Sequence, residues 1–419
     1  DLGWGNRTVA AQYNSLVGEN TLASAQFSYS EYQSLTEAEI FSTPFQVDNR
    51  LEEISVKADL TAKLGDSHTL KGGLQASRYK FTYFQEFDDD ASLDFESKPT
   101  DVTAYAEDEW RYENSTITRL GLRTRYFSEG DRILVEPRLS VNRRLTDRLR
   151  LKVGAGIYYQ YLQLVATEGF AAGDFYFPVD ETAEPGRSIQ AVSGLTYDFN
   201  DQYQVSGEVY YTDLARLLIF DNNATFEQED INTDTLFLTK GEGYATGLEL
   251  FAQKRTGRLR GWVGYTLGWT RRTFDELNDG KTFPPKYDRR HDINVVASYE
   301  SGPWTYGASF VYGTGQAFTP AAAKYQLRDP ILGDDNEGGF VLPADRNSAR
   351  LLPYHRLDVS VRKKFGLFGS QAEWFIQVFN LYSRRNEWFV QFDSSDPTNE
   401  PEIVRQLPVI PTIGVNFAF

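Results

Sequence analysis

The residues that most often do chemistry in proteins are few in this chain and poorly placed for it. Cys is absent, which excludes a disulfide framework, thiolate chemistry and Cys-ligated zinc. The three histidines, His68, His291 and His355, lie far apart, and no two have the spacing of metal ligands on one helix. No Ser/His/Asp constellation is indicated by spacing, and no phosphate-binding loop is found. The sequence therefore predicts no enzyme activity, no metal site and no cofactor.

Charge is concentrated in polar segments and is mostly negative. The chain has 43 Lys and Arg against 59 Asp and Glu, a net charge of -16, which disfavours a nucleic-acid partner because such proteins need a basic face. The acidic clusters 88–90 and 334–336 could hold calcium, but neither fits the twelve-residue calcium loop. Solvated loop charge is the better interpretation of both clusters.

Aromatic residues with polar neighbours occur in long polar segments, which are predicted loops at 168–186, 319–350 and 391–406. This mixture is expected where a ligand must be both desolvated and oriented. A strand that ends at residue 160 could extend that surface inward. The alternative is that these loops only pack against each other. The candidate ligand-binding residues are Tyr158, Gln160, Phe170, Phe175, Tyr176, Tyr325 and Phe340.

The elements that would position these residues are strands, because apolar and polar residues alternate with a period of two along most of the chain. Charged residues on one face of such strands need a wide, wet interior or a polar plug. The pattern thus predicts a transmembrane antiparallel β-barrel with about 17 strands in this chain. Predicted to face the lumen are Arg119, Arg123, Lys152, Arg356, Asp358 and Arg362, and predicted to face lipid are Val153, Ile157, Val359, Val361, Ile413, Val415 and Phe417.

The connections support the same prediction, since tight turns alternate with long polar loops. Short turns at one rim and long loops at the other are typical of an outer-membrane barrel, whereas a soluble sandwich turns every 8–12 residues or so. A polar stretch around Pro44 is expected to separate two of the strands. No window approaches the roughly 18 consecutive apolar residues of a membrane-spanning helix.

Several motifs resemble one family. In order, they are 287–299 (YDRRHDINVVASY), 352–365 (LPYHRLDVSVRKKF), 375–384 (FIQVFNLYSR) and 408–419 (PVIPTIGVNFAF), and the segment 4–34 resembles a mid-barrel hairpin. Together they resemble the barrel of TonB-dependent outer-membrane transporters, in the branch common in Bacteroidetes-like bacteria. Family barrels have about 22 strands around a plugged lumen. The resemblance implies that residues 1–419 are a partial barrel domain, without the plug domain and about five first strands.

The resemblance also implies a function and partners. The expected function is ligand-gated, TonB-dependent import of a scarce nutrient such as a siderophore, peptide or glycan, in the outer membrane of a Gram-negative bacterium. A passive porin-like channel and a surface-binding or scaffold barrel are the alternatives. Expected partners are outer-membrane lipid, a TonB-type energising protein reached through the plug region, the barrel-assembly machinery and a surface lipoprotein. The terminal strand, with Phe417 and Phe419, resembles the signal for membrane insertion.

Overall fold

The computed structural model describes residues 2–40, 43–87, 90–113, 115–165, 175–221, 232–328, 335–367, 370–392 and 401–418. Two short helical segments occur in this part of the chain, α1 (Thr233–Leu236) and a 3₁₀ turn (Asn278–Gly280). No helix in these ranges is long and apolar enough to cross a membrane. The strands are β1 (Leu2–Val17), β2 (Thr21–Ile40), β3 (Thr43–Leu64), β4 (His68–Phe87), β5 (Asp90–Ser97), β6 (Thr100–Tyr112), β7 (Thr116–Phe127), β8 (Arg132–Arg144), β9 (Leu149–Gln160), β10 (Leu162–Val165), β11 (Phe175–Pro178), β12 (Gly186–Asp198), β13 (Tyr203–Phe220), β14 (Phe237–Lys254), β15 (Leu259–Thr273), β16 (His291–Ser301), β17 (Trp304–Gly313), β18 (Ala317–Phe318), β19 (Ala321–Arg328), β20 (Asp335–Pro343), β21 (Ala349–Arg350), β22 (Tyr354–Leu367), β23 (Ser370–Phe379), β24 (Glu387–Gln391), β25 (Glu402–Arg405) and β26 (Ile410–Ala418).

The chain forms two compact units. Unit 1 contains Asp1–Arg143, Lys152–Ala191 and Thr212–Gly243, and unit 2 contains Arg144–Leu151, Val192–Tyr211 and Tyr244–Phe419.

Unit 1 is built on an antiparallel meander. β1 pairs with β2, β2 with β3, β3 with β4, β4 with β6, β6 with β7, and β7 with β8. β5 pairs with the far end of β4, beyond the part of β4 that pairs with β6. Each long strand therefore has its chain neighbours beside it, which is the expected result of short antiparallel connections.

Unit 2 contains a second antiparallel meander, in which β15, β16, β17, β22, β23 and β26 pair in that order. The long connections of this unit carry small ladders of their own. β18 pairs with β21, β19 with β20, and β24 with β25.

The number of long strands agrees with the sequence prediction. Among the described residues, 18 strands belong to the principal ladders, and β5 and β6 follow each other after two residues. Counted as one interrupted strand, they leave 17, as predicted. Within unit 2, short and long connections alternate, so the short ones lie at one end of its strands. In unit 1 the predicted alternation is wrong, because the β2–β3 and β7–β8 connections have only two and four residues and lie at the opposite end of the strands from the other short turns.

The expected separation around Pro44 is wrong. β2 and β3 continue to within two residues of each other, and their register runs without a break from Thr21↔Ala62 to Ile40↔Thr43. The two strands are 20 and 22 residues long, about twice the length that spans a bilayer. Their far ends stay ordered because Phe45 and Val47 are buried in an apolar cluster with Tyr83, Phe177, Leu236 and Phe237.

Burial in the ladders is inverted relative to a soluble protein. Leu120 in β7 is 64% exposed, while Glu109 on the neighbouring β6 is only 5% exposed. Alternation gives every long strand an apolar face and a polar face. In unit 1 the apolar face carries Leu120 and Leu122, and the polar face carries Arg119, Arg123 and Glu109.

Candidate functional site

The polar face of unit 1 is a network of paired charges. Arg119 in β7 lies directly opposite Glu109 in β6, and its Nε donates to Glu109 Oε2 at 2.8 Å. Arg111, two residues along β6, donates from Nη2 to the other oxygen, Glu109 Oε1, at 2.8 Å. The buried carboxylate thus has two cationic partners, which is the condition under which burial of a charge is tolerated.

Asp101, near the start of β6, is another buried carboxylate of this network. It accepts a hydrogen bond from the Tyr161 hydroxyl at 2.8 Å and one from the Thr103 hydroxyl at 2.9 Å. Arg125 Nε lies 3.0 Å from Asp101 Oδ2, and the Arg125 guanidinium stacks 4.5 Å from the centre of the Tyr161 ring. Tyr161 follows β9 directly. The set ties the end of β9 to β6 and β7.

Tyr158 lies beside the same network. The Arg138 guanidinium is 4.9 Å from the centre of the Tyr158 ring, and Arg138 Nη2 donates to Glu136 Oε2 at 2.7 Å. Arg123 lies opposite Glu136 in the β7–β8 register and opposite Tyr105 in the β6–β7 register.

Two further predicted site residues extend the strand that carries Tyr158. Lys152 lies six residues before Tyr158 in β9, on the same face by alternation, and is exposed. Gln160 is exposed and donates from Nε2 to the Leu162 carbonyl at 3.0 Å. Lys152 and Gln160 thus lie on the same face of β9 as Tyr158.

The predicted loop 168–186 is largely docked where the structure describes it. Phe177 and Val179 are 1% and 0% exposed. Asp180 Oδ2 accepts from the Thr233 N–H at 2.8 Å, and the Thr233 hydroxyl accepts from the Asp180 N–H at 3.2 Å, which joins this segment to α1. This part of the loop, called the cap below, therefore packs against the rest of unit 1.

The three candidate aromatic residues of this loop differ in their surroundings and in whether the structure describes them. Tyr176 remains 38% exposed and is accessible to a ligand. Phe175 lies in β11 opposite Val165, and Phe170 lies outside the described residues.

In unit 2, the loop between β15 and β16 is anchored on Asp288. Its Oδ1 accepts from the Thr270 N–H at 2.8 Å, Arg271 Nη1 lies 3.4 Å from its Oδ2, and Arg350 Nη2 donates to the same oxygen. Burial alone would raise the pKa of Asp288, but the Thr270 hydrogen bond, Arg350 and Arg271 outweigh it and hold the pKa below its usual range. Arg350 ends the predicted loop 319–350, so two loops share this anchor.

The predicted residues of loop 319–350 lie in a hairpin. Tyr325 in β19 and Phe340 in β20 are directly opposite in the register. The base of the hairpin closes where the Ala344 N–H donates to the Pro320 carbonyl at 2.8 Å, and β18 pairs with β21 just outside it. The hairpin is thus a separate element, and its base is held by this hydrogen bond and by the β18–β21 ladder.

Val153 and Ile157 lie in β9, where they alternate with Lys152 and Tyr158, and the other remaining predicted residues lie in β22 and β26. Arg356 Nε and Asp358 Oδ2 are 3.0 Å apart, and Arg362 Nη1 lies 3.9 Å from Glu373 Oε1. Val359 and Val361 alternate with these charges. In β26, Ile413, Val415 and Phe417 are exposed, by 77%, 49% and 51%. Phe419 lies outside the described residues.

Sequence reasoning missed several residues that organise the site. Glu136 follows the apolar run of β8, and its alternation with the exposed Val135 and Pro137 was a usable signal. Asp101, Tyr161 and Arg350 gave no such signal, because the partners Arg125, Asp101 and Asp288 of these three residues are 24, 60 and 62 positions distant. No group of three or more potential metal ligands is found in the described part of the chain.

Long antiparallel strands with an exposed apolar face and an internally paired charged face define an all-β protein of the transmembrane β-barrel class. The family model for the TonB-dependent receptor-like β-barrel matches residues 1–381. The chain belongs to this family. A search of curated proteins found no match.

Similar solved structures have the same fold. They include the ferric citrate transporter FecA, with 12% identity and a TM-score of 0.69 over 98% of this chain and 61% of that one. The ferric-catecholate import receptor Fiu from E. coli K12 has 11% identity and a TM-score of 0.69 over 100% of this chain and 64% of that one. The pyoverdine receptor FpvA from Pseudomonas aeruginosa PAO1 has 12% identity and a TM-score of 0.69, over 100% and 62%. The chain therefore spans somewhat less than two thirds of the length of these structures.

Proposed function

We propose that this chain is the barrel part of an outer-membrane importer that takes up a scarce nutrient with energy from a TonB-type protein. The family membership supports this, as do the solved neighbours, which are described as a ferric citrate transporter, a ferric-catecholate import receptor and a pyoverdine outer membrane receptor. The observation that carries it is the polar face of unit 1. Buried carboxylates on this face pair with arginines, and the other face of the same strands is apolar and exposed. Such a face fits a hydrated or plugged lumen.

Within this proposal, Arg119, Arg123, Lys152, Arg356, Asp358 and Arg362 line the lumen. Tyr158, Gln160 and Tyr176 are the described candidates for ligand contact in unit 1, because Gln160 and Tyr176 are exposed and Tyr158 lies beside the polar face. Tyr325 and Phe340 are the candidates in unit 2, on a hairpin that stands on an anchored base. The energising protein, the assembly machinery and a surface lipoprotein are the proposed partners.

The proposal is tested with the full-length protein in cells. A deletion strain is grown on limiting amounts of one nutrient at a time: a ferric siderophore, a peptide or a glycan. The nutrient whose use depends on the gene is then radiolabelled, and its uptake is measured with and without a protonophore. An importer loses uptake when the proton gradient collapses, whereas uptake that persists at the same rate identifies a passive channel and overturns the proposal.

A further inference from the structure

An apolar groove lies at the tight-turn end of unit 2, in a region that import does not explain. Its volume is about 600 Å³, and its lining includes Phe199, Tyr203, Ala252, Gly261, Val263 and Ala297. Gly261 and Ala297 are directly opposite in the β15–β16 register, and Val263 is opposite Val295.

The groove belongs to the apolar face of unit 2. Leu259 and Val263 are 49% and 44% exposed, and Gly261 lies between them on the same face of β15. The floor is deep because its residues are small. A Cβ at Gly261 would run into the backbone of Val296 and Ala297, so no larger residue fits there without a shift of the neighbouring strand. The result is a trough with small residues below and large apolar ones at its sides.

A cationic group stands at the mouth of the groove. Lys254 lies two residues after Ala252 on the same strand face, and its Nζ is 5.4 Å from the centre of the Tyr203 ring. Four cations occur within the seven residues from 254 to 260. Arg255 pairs with Asp198 and Arg260 with Glu300, but Lys254 and Arg258 have no carboxylate partner in the described part of the chain. Two cations without a carboxylate are notable in a chain of net charge -16.

We infer that this groove binds one anionic phospholipid of the membrane leaflet at the tight-turn end. One acyl chain lies along Ala252, Gly261 and Ala297, and the phosphate meets Lys254 and Arg258. Phe199 and Tyr203 stand at the depth where aromatic rings border headgroups. Clustered basic residues beside such a border attract anionic lipids. The inference rests on the proposed function insofar as that function places these strands in an outer membrane.

The test measures retained lipid on the full-length protein by native mass spectrometry. The purified protein is titrated with dioleoyl-phosphatidylglycerol or, at equal chain length, dioleoyl-phosphatidylcholine. One phosphatidylglycerol is expected to bind more tightly than phosphatidylcholine. Lys254→Gln should weaken phosphatidylglycerol binding about fivefold, the effect of removing one basic residue near a membrane surface. Ala252→Phe should fill the groove and abolish the bound state for both lipids.

Lys363→Gln is the matched control. Lys363 also lies toward the tight-turn end of unit 2 and stands over an aromatic ring, with its Nζ 5.0 Å from the centre of the Trp304 ring, but it does not line the groove. This variant should bind phosphatidylglycerol as the wild type does. Equal affinity for the two lipids, equal losses in Lys254→Gln and Lys363→Gln, or full binding by folded Ala252→Phe would each overturn the inference. If Ala252→Phe does not fold, the comparison of the two lysine variants decides alone.

The same variants separate this inference from the proposed function. Lys254→Gln and Ala252→Phe should reach the outer membrane and take up nutrient at the wild-type rate. A protein that imports normally but shows no lipid preference removes the lipid site and leaves the proposed function intact. If the wild-type protein is not found in the outer membrane, the proposed function itself is wrong.

Discussion

The carboxylate of Asp101 has three donors around it, from Tyr161, Thr103 and Arg125. An ion pair this enclosed is no sign of stability by itself, because two charges have lost their water. It becomes costly when only one partner is removed, since the other charge then stays buried without compensation. The pair of Arg119 with the buried Glu109 contributes less, because the Arg119 side chain is 45% exposed and its charge remains hydrated.

We therefore predict that Arg125→Leu lowers the free energy of unfolding by about 3–5 kcal/mol. The Asp101→Asn/Arg125→Leu double variant should recover most of this loss, because no charge remains to be desolvated. Urea titrations of the protein folded in lipid vesicles measure both values. Arg119→Leu is the control, since Glu109 keeps Arg111 as a partner; its cost should stay below about 1 kcal/mol. A double variant as unstable as Arg125→Leu would contradict the explanation.

The apolar face allows a second prediction at single positions. Val359 in β22 lies between Ala308 and Val378 in the register, and Gln377 on β23 is adjacent but on the opposite face. Val359→Arg should cost about 2–4 kcal/mol if the site is near the bilayer midplane, because lipid cannot solvate the guanidinium. Gln377→Arg should cost little, since its face is hydrated. Equal unfolding free energies for the two variants in vesicles would contradict the assignment of Val359 to the lipid face and Gln377 to the hydrated face.

The long strands could be predicted from the sequence because their signal is local. A period of two identifies a strand and its faces without knowledge of its partners, as in Leu149–Gln160. The cap at Phe177 and Val179 could not be predicted in this way. It depends on Asp180 and Thr233, which are 53 positions apart, and on a four-residue helix. The ladder of β18 and β21, and the extension of β2 and β3 past Pro44, depend likewise on non-local pairing.

The anchor of the loop between β15 and β16 should be sensitive to acid. Because the pKa of Asp288 is lower in the folded protein, its contribution to stability is fully present above the unfolded pKa of about 3.9 and is lost as pH falls through the folded value. The protection of loop amides, taken from their exchange rate relative to the intrinsic rate at the same pH, should thus be high at pH 7 and fall below about pH 4. In Asp288→Asn this protection should already be lower at pH 7 and change little with acid. The Thr270 amide, which donates to Asp288, is the most direct probe.

The hairpin of β19 and β20 can be removed without disturbing that anchor. Deletion of the whole loop 319–350 would remove Arg350 and leave Asp288 with fewer donors. Excision of 321–343, with a Gly linker from Pro320 to Ala344, uses the hydrogen bond that already closes the hairpin base. This variant should fold and reach the membrane but lose nutrient binding, as measured by isothermal titration with the nutrient identified in uptake assays. Wild-type affinity after excision would exclude the hairpin from the ligand site.

The strand count bears on how the whole barrel closes. Bacterial single-chain barrels have an even number of antiparallel strands, because the first and last strands must also pair antiparallel. The described residues supply 17 long strands, and the chain covers 61% of the ferric citrate transporter. We propose that the complete barrel includes strands beyond those of this chain, since an odd meander would leave strand edges without hydrogen-bond partners in lipid.

The last prediction follows from this count. Refolded alone in detergent, the 419-residue chain should yield aggregates or oligomers, because open edges pair with other copies. The full-length protein, refolded in parallel, should yield a monomer whose mobility on a denaturing gel shifts when it is boiled. Light scattering distinguishes monomer from oligomer in both samples. A compact, heat-modifiable monomer formed by the 419-residue chain would show that these strands close by themselves, and would rule out the larger barrel.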